Sequence, residues 1–147
     1  MAYHYKESGL DNVFLENGYK QYDTAYGKGM SIEDVDGLHK AIGLWLVDEP
    51  VPLTGAALRF LRIELDLTQR ALAGILGATE QTLRLWEKSR KKAIPGPADR
   101  LLRALYLEYV QGAGSVRRLV DRLAELDTMA RATAHMRETP QGWRVAS

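Results

Sequence analysis

The sequence predicts a mainly α protein, with a five-helix central domain flanked by a small N-terminal α+β segment and a C-terminal helix plus hairpin. Three observations carry this. Leucines recur at helical spacing behind threonine caps from Thr54 to Tyr109. Asn17-Gly18 stands between two β-prone runs, a strong short-range hairpin signal. Asp48-Glu-Pro-Val-Pro52 and Gly112-Ala-Gly114 break the chain into residues 1–50, 51–111 and 112–147.

In the first segment, Val13–Glu16 and Tyr19–Tyr22 flank Asn17-Gly18 and predict a hairpin closed by a type I′ turn. The glycines of 25–30 then suggest a loop into a third short strand. Ser31 is placed to cap a helix whose first turn is acidic and whose apolar stripe is Ile32, Val35, Leu38, Ile42 and Trp45. Pro50 and Pro52 end it.

The second segment reads as five short helices. Thr54 caps the first, with Leu58, Leu61 and Leu65 on one face. Thr68 caps the second, which carries Leu72, Ile75 and Leu76 and ends at Gly77. Thr79 caps the third. A basic loop, Ser89-Arg-Lys-Lys92, leads to a weak fourth turn before Pro95, and the last helix carries Leu101, Leu102, Leu105 and Tyr109. In the third segment Ser115 caps a helix striped by Val116, Leu119, Leu123 and Leu126. Thr139-Pro-Gln-Gly142 has turn chemistry and predicts a terminal hairpin between 132–138 and 143–146.

Composition narrows the function classes. The 147 residues are 46% hydrophobic and 27% charged, an ordinary globular balance. With no apolar run of about 18 residues and no apolar stretch at the N-terminus, the expectation is a cytoplasmic protein with no membrane partner. Cysteine is absent, which excludes disulfides and thiolate metal sites. The net charge of +1 hides an asymmetry. Residues 1–53 hold 4 basic and 9 acidic side chains, residues 54–111 hold 10 and 6, and residues 112–147 hold 6 and 4. An acidic N-terminal part beside a basic middle suggests that the middle meets an anionic partner. His4, His39 and His135 are scattered, with no nucleophile motif or ligand-spaced cluster, so neither an enzyme nor a metal or cofactor site is expected.

Two short helices joined at Gly77, each with a threonine cap, suggest a helix-turn-helix. Ala73 lies where a larger side chain would push the partner helix away, and Leu83 and Trp86 are the expected buried pair of the second helix. The run from Leu65 to Lys88, with its Leu-Thr-Gln start, Leu-Ala, Leu-Gly, small polar cap and Trp-Glu, closely resembles the XRE family of lambda-repressor-like DNA-binding domains. The resemblance covers roughly residues 54–109. One departure is Ser89, where the family usually has glycine. The resemblance implies a structural ion pair between Arg62 and Glu87, which spacing alone does not suggest. It also implies that Gln69 bonds a phosphate and braces the recognition helix; the alternative is a plain polar residue in the first turn.

On a helical wheel, Thr79, Leu83, Trp86 and Glu87 gather on the inner side, and Gln81, Arg84, Leu85 and Lys88 on the outer. Thr82 and Glu80 lie on the flanks. The outer side of the second helix is the one that enters the major groove in this motif. Gln81 can pair with adenine and Arg84 with guanine, while Leu85 is either a thymine-methyl contact or a lone exposed leucine. Glu80 can accept from cytosine, favour the helix N-terminus or pair with Arg84, the last two being structural. Gln81, Arg84, Leu85, Thr82 and Glu80 are thus the candidate base-reading set. Gln69, Thr79, Lys88, Arg90, Lys91 and Lys92 are the candidate phosphate-binding set.

The expected function is sequence-specific, dimeric DNA binding to a palindromic operator, as a transcriptional regulator of the repressor kind. The leucine stripes of 98–109 and 115–127, with the terminal hairpin, are equally readable as dimer interface or internal core. The order of parts also resembles the MqsA type of antitoxin-repressor, which makes a toxin-binding antitoxin the alternative, its acidic N-terminal part masking a basic toxin protein. That type holds its N-terminal domain with cysteine-ligated zinc. Without cysteine, Val13, Phe14, Leu15, Tyr19, Tyr22, Ile32 and Trp45 must hold it here.

Overall fold

The computed structural model describes residues 2–112, 118, 122 and 133–146. Among them, five α-helices and three two-stranded antiparallel sheets make a mixed α+β fold. No helix among the described residues is long and apolar enough to cross a membrane.

At the N-terminus, β1 (Tyr3–His4) pairs with β2 (Phe14–Leu15), and His4 stacks on Phe14 across the pair. Next, β3 (Tyr19–Thr24) pairs with β4 (Gly27–Ile32). Asn17-Gly18 therefore does not close the expected hairpin. It is the bend where the chain leaves one strand pair for the next, and Gly18 O accepts the Glu33 N–H. The reason is burial. Val13 and Leu15 enter the core with Tyr5 and Leu10, and pairing back onto β1 keeps them there, whereas β3 is largely solvent-exposed. The expected loop narrows to two residues, and the third strand expected after it begins at Gly27 as the partner of β3.

The real turn is Ala25-Tyr26, and its chemistry recurs at the C-terminus. Thr24 Oγ1 donates to Gly27 O and accepts from Tyr26 N–H, with Gly27 at φ +120°. Between β5 (Met136–Thr139) and β6 (Gly142–Val145), Thr139 Oγ1 donates to Gly142 O and accepts from Gln141 N–H, with Gly142 at φ +108°. Both turns are Thr-x-x-Gly. The hydroxyl replaces missing ladder bonds, and glycine takes the positive φ. The expected terminal hairpin is thus present. Of the helix expected from Ser115, Arg118 and Arg122 are helical, while Ser115, Val116, Leu119, Leu123 and Leu126 lie outside the described residues.

Helix α1 spans Val35–Asp48. Ser31 does not cap it, because Ser31 is paired to Lys20 within the sheet. Asp34 caps instead, at φ +48°, accepting Gly37 N–H at 3.1 Å. The helix buries Ile42, Gly43, Leu46 and Val47, a face turned from the expected stripe, and leaves Val35 and Trp45 about two-fifths exposed. Phe14 and Tyr22, also expected to be buried, are exposed, while Tyr19 and Ile32 are half-buried.

Helices α2 (Gly55–Glu64), α3 (Gln69–Leu76), α4 (Glu80–Lys88) and α5 (Gly96–Gln111) follow. The weak fourth helical turn is absent. Residues 89–94 instead form a turn whose backbone is stitched to the start of α2: Gly55 N–H to Lys92 O, Ala56 N–H to Arg90 O, and Ile94 N–H to Leu53 O. On α5 the buried apolar residues are Ala98, Leu102, Leu105 and Tyr106, so Leu101 and Tyr109 face outward, contrary to the expected stripe.

The Pro50–Pro52 break separates elements but not cores. Tyr5, Leu10, Val13 and Leu15 share one apolar cluster with Ile42, Leu58, Leu61, Leu102 and Tyr106. Each buried leucine of this set contributes roughly 1.5–3 kcal/mol relative to exposure. A second tie is polar. The Tyr5 hydroxyl meets His39 Nε2 at 2.7 Å, and His39 Nδ1 lies 3.2 Å from Glu64 Oε2. The imidazole of α1 thereby links Tyr5 of the N-terminal segment to Glu64 of α2.

Arg103 of α5 makes the third tie. Its Nε donates to Asp99 Oδ1 at 2.6 Å, its Nη1 to the carbonyls of Val47 and Glu49, and its Nη2 to Val51 O. Asp99 also accepts the Leu53 N–H at 2.7 Å. One guanidinium thereby satisfies carbonyls at the end of α1 and clamps the linker to α5.

Candidate functional site

The candidate site is built on α3, α4 and the turn between them. Thr68 caps α3 by accepting Ala71 N–H at 3.0 Å. Gly77 ends it at φ +72°, with Ala78 N–H bonded to Ala73 O and Gly77 N–H to Gly74 O. This double closure needs a left-handed residue, which glycine adopts without a Cβ penalty. Two residues later Thr79 caps α4, accepting Thr82 N–H at 3.1 Å. Ala73 is buried at this junction, as its size requires.

A polar network then fixes α4 against the helices behind it. Arg62 Nε and Nη2 reach Glu87 Oε2 and Oε1 at 2.6 and 3.1 Å, a two-point contact. Arg62 Nη1 donates to Leu67 O, and Gln69 Nε2 donates to Glu87 Oε1 at 3.2 Å. The ion pair implied by the family resemblance is thus present, and Gln69 braces α4 through Glu87. Side-chain exposure of 14% for Arg62 and 6% for Glu87 takes this pair largely out of water.

The two sides of α4 sort nearly as the wheel predicts. Leu83 and Glu87 are buried, and Gln81, Arg84, Leu85 and Lys88 are exposed. Two inner assignments change. Trp86 is half-buried and Thr79 is exposed, because a capping residue lies before the first helical turn and bends back over it. Thr82 is half-buried, its hydroxyl accepting from Thr79 Oγ1. Glu80 Oε1 accepts from Arg84 Nη2 at 2.8 Å, the i,i+4 pair that was the structural alternative.

Leu85 stands as a ridge between two grooves. On one side lie Thr82, Trp86, Ser89 and Ile94. On the other, a groove of about 720 Å³ is lined by Arg59, Gln81, Arg84, Lys88 and Arg90. Glu87 also borders it, but its charge is committed to Arg62.

The basic loop is more ordered in role than its sequence implies. Ser89 ends α4 at φ −83°, a conformation that does not need the family's glycine. Lys91 and Lys92 have exposed side chains. Arg90, expected as a plain phosphate contact, turns to the N-terminal segment: its Nη2 donates to Gly9 O at 2.8 Å and lies 3.4 Å from Asp11 Oδ1. Arg59 was missed altogether. It sits on the polar side of α2, and its only signal was membership in the basic middle of the chain. No protein-family model matches the chain, and neither does any curated protein or solved structure.

Chemically, this surface offers two amide or guanidinium forks, one apolar crest and a rim of cations around a shallow groove. Such a set suits a polyanion whose edges carry paired donors and acceptors.

Proposed function

We propose that the chain is a sequence-specific DNA-binding transcriptional regulator, a repressor acting as a dimer, with α3 and α4 as its helix-turn-helix and α4 as the major-groove helix. The observation that carries this is the two-sidedness of α4. Leu83 and Glu87 anchor one side, while Gln81, Arg84, Leu85 and Lys88 are exposed on the other. In this reading the fold around α4 is of the lambda-repressor type, and Gln81 and Arg84 read base edges. Thr82 and Leu85 complete the face, and Lys88, Lys91 and Lys92 hold phosphates.

Selection of bound sequences from a random duplex pool tests it. A two-fold symmetric site is expected, with half-sites one helical turn apart. Gln81→Ala and Arg84→Ala should each cost about 1–3 kcal/mol at one base position. Full operator affinity in the double variant overturns the reading face.

A second reading, a toxin-binding antitoxin, draws on the acidic residues 1–53 and on the exposed Phe14, Tyr22 and Tyr26. Its test is co-purification with the product of an adjacent small basic reading frame. Failure of the two proteins to associate removes it.

A further inference from the structure

We infer that Arg59 and Arg90 together form a clamp for one phosphodiester stretch of the DNA backbone, with the N-terminal loop at Gly9 as its floor. This rests on the DNA-binding reading above and adds a site to it.

The two arginines come from distant places, α2 and the loop after α4, and converge on a single residue. Arg90 Nη2 donates to Gly9 O at 2.8 Å. A Cβ at position 9 would lie 3.8 Å from Arg59 Nη1, ordinary contact distance, so the second guanidinium borders the same glycine. Gly9 has φ +84° and closes the Lys6–Ser8 turn through its N–H to Lys6 O. Its position is therefore set by the N-terminal fold, which is itself anchored in the core by Tyr5 and Leu10.

Both arginines line one groove, whose acidic lining residue, Glu87, is committed to Arg62, so an anion entering the groove is attracted by both. The carboxylate that meets Arg90 is Asp11, 62% exposed and 3.4 Å away. An exposed pair of that length is weak and yields readily to a doubly forked phosphate contact. The groove continues from this point to Arg84 and Lys88 on α4. A strand lying along it meets cations at the clamp while its bases face Gln81 and Arg84. The acidic N-terminal segment is then part of the DNA-binding unit, because it aims Arg90.

The test is fluorescence anisotropy of the full chain with a selected duplex and a scrambled duplex over a range of KCl concentrations. Arg59→Ala and Arg90→Ala should each weaken both duplexes alike and lower the log–log salt slope by about 1. Arg59→Lys, which keeps the charge, should retain the slope. Arg100→Ala, an exposed arginine of α5 lining a different groove, should change neither quantity. The clamp is overturned, with the DNA reading intact, if the wild type binds with a Gln81- and Arg84-dependent preference while Arg59→Ala keeps its slope. Weaker binding at an unchanged slope marks structural damage and also overturns it. If the wild type binds neither duplex, both inferences fall.

Discussion

Arg62 and Glu87 lie 25 residues apart in sequence and join at two points, Nε to Oε2 at 2.6 Å and Nη2 to Oε1 at 3.1 Å. The pair holds α4 to α2, and the Gln69 amide adds α3 to the same carboxylate. Removing one member strands a largely buried charge. Glu87→Gln should lower unfolding stability by about 3–5 kcal/mol, read from urea denaturation. An Arg62→Met, Glu87→Leu double variant should recover most of that loss, because the two desolvation costs disappear together. A double variant no better than the single would show that the pair's geometry, not its charge, holds the helices.

Glu80 and Arg84 form a different kind of pair. Both side chains are well exposed, at 43% and 59%. Glu80→Ala should change stability by no more than about 0.5 kcal/mol. Under the proposed DNA-binding role, its effect appears in binding. Scrambled duplex should bind more tightly, since an anion leaves the face, while discrimination at the Arg84 base should fall by about 1 kcal/mol of the 1–3 that a two-point contact provides. Anisotropy with matched and single-mismatch duplexes separates the two effects.

Gly55 opens α2 where a Cβ would collide with the carbonyl oxygens of Trp86 and Ser89. These are backbone atoms at the end of α4, and they cannot swing aside as a side chain would. Gly55→Ala should cost about 3 kcal/mol, the upper end of the overpacking range. Because α2 and the 89–94 turn would be driven apart, DNA affinity should fall with it, while Gly74→Ala, where a Cβ meets open space, should not destabilise. Paired thermal melts decide this.

Acid stability should depend on Asp99. Burial pushes its carboxyl up, but the Arg103 hydrogen bond, the Leu53 N–H and the charges of Arg103 and Arg100 outweigh burial and hold it below the ordinary range. A carboxyl depressed in the folded state contributes stability that is present above its unfolded value, about 3.9, and is lost as pH falls through the folded one. Asp99→Asn should therefore be less stable than wild type at neutral pH, and the gap should narrow below about pH 4. A gap that stays constant down to pH 2, the region about two units below the unfolded value, would remove Asp99 from the acid response.

Local chemistry was legible in the sequence where one element contains the whole reason for its form. Thr54, Thr68 and Thr79 cap helices because a threonine hydroxyl satisfies an N–H three residues on. Gly77 ends α3, Glu80 pairs with Arg84 one turn later, and Thr139-Pro-Gln-Gly142 turns a hairpin. The helical wheel separated the exposed face of α4 from its buried anchors for the same reason: period and polarity lie within nine residues. Arg62–Glu87 came through the family pattern and not through spacing, since 25 residues separate the partners.

Other features were settled only by tertiary contact. Asn17-Gly18 has hairpin chemistry, yet burying Val13 and Leu15 beside Tyr5 drew β2 back onto β1. Ser31 can cap a helix, but pairing with Lys20 kept it in the sheet and passed the cap to Asp34. Arg103 looked like one arginine among many until the fold brought the end of α1 and the linker after it to its donors. Arg59 and Arg90 meet at Gly9 because a core shared by the N-terminal segment and the helices carries that loop to the groove. The sequence by itself determined the helix caps, the end of α3, the terminal turn and the face of α4, because propensity, capping and period act within a few residues. The tertiary structure decided which strands pair, which arginines converge and what the groove contains, because those depend on burial and charge summed over residues far apart in the chain.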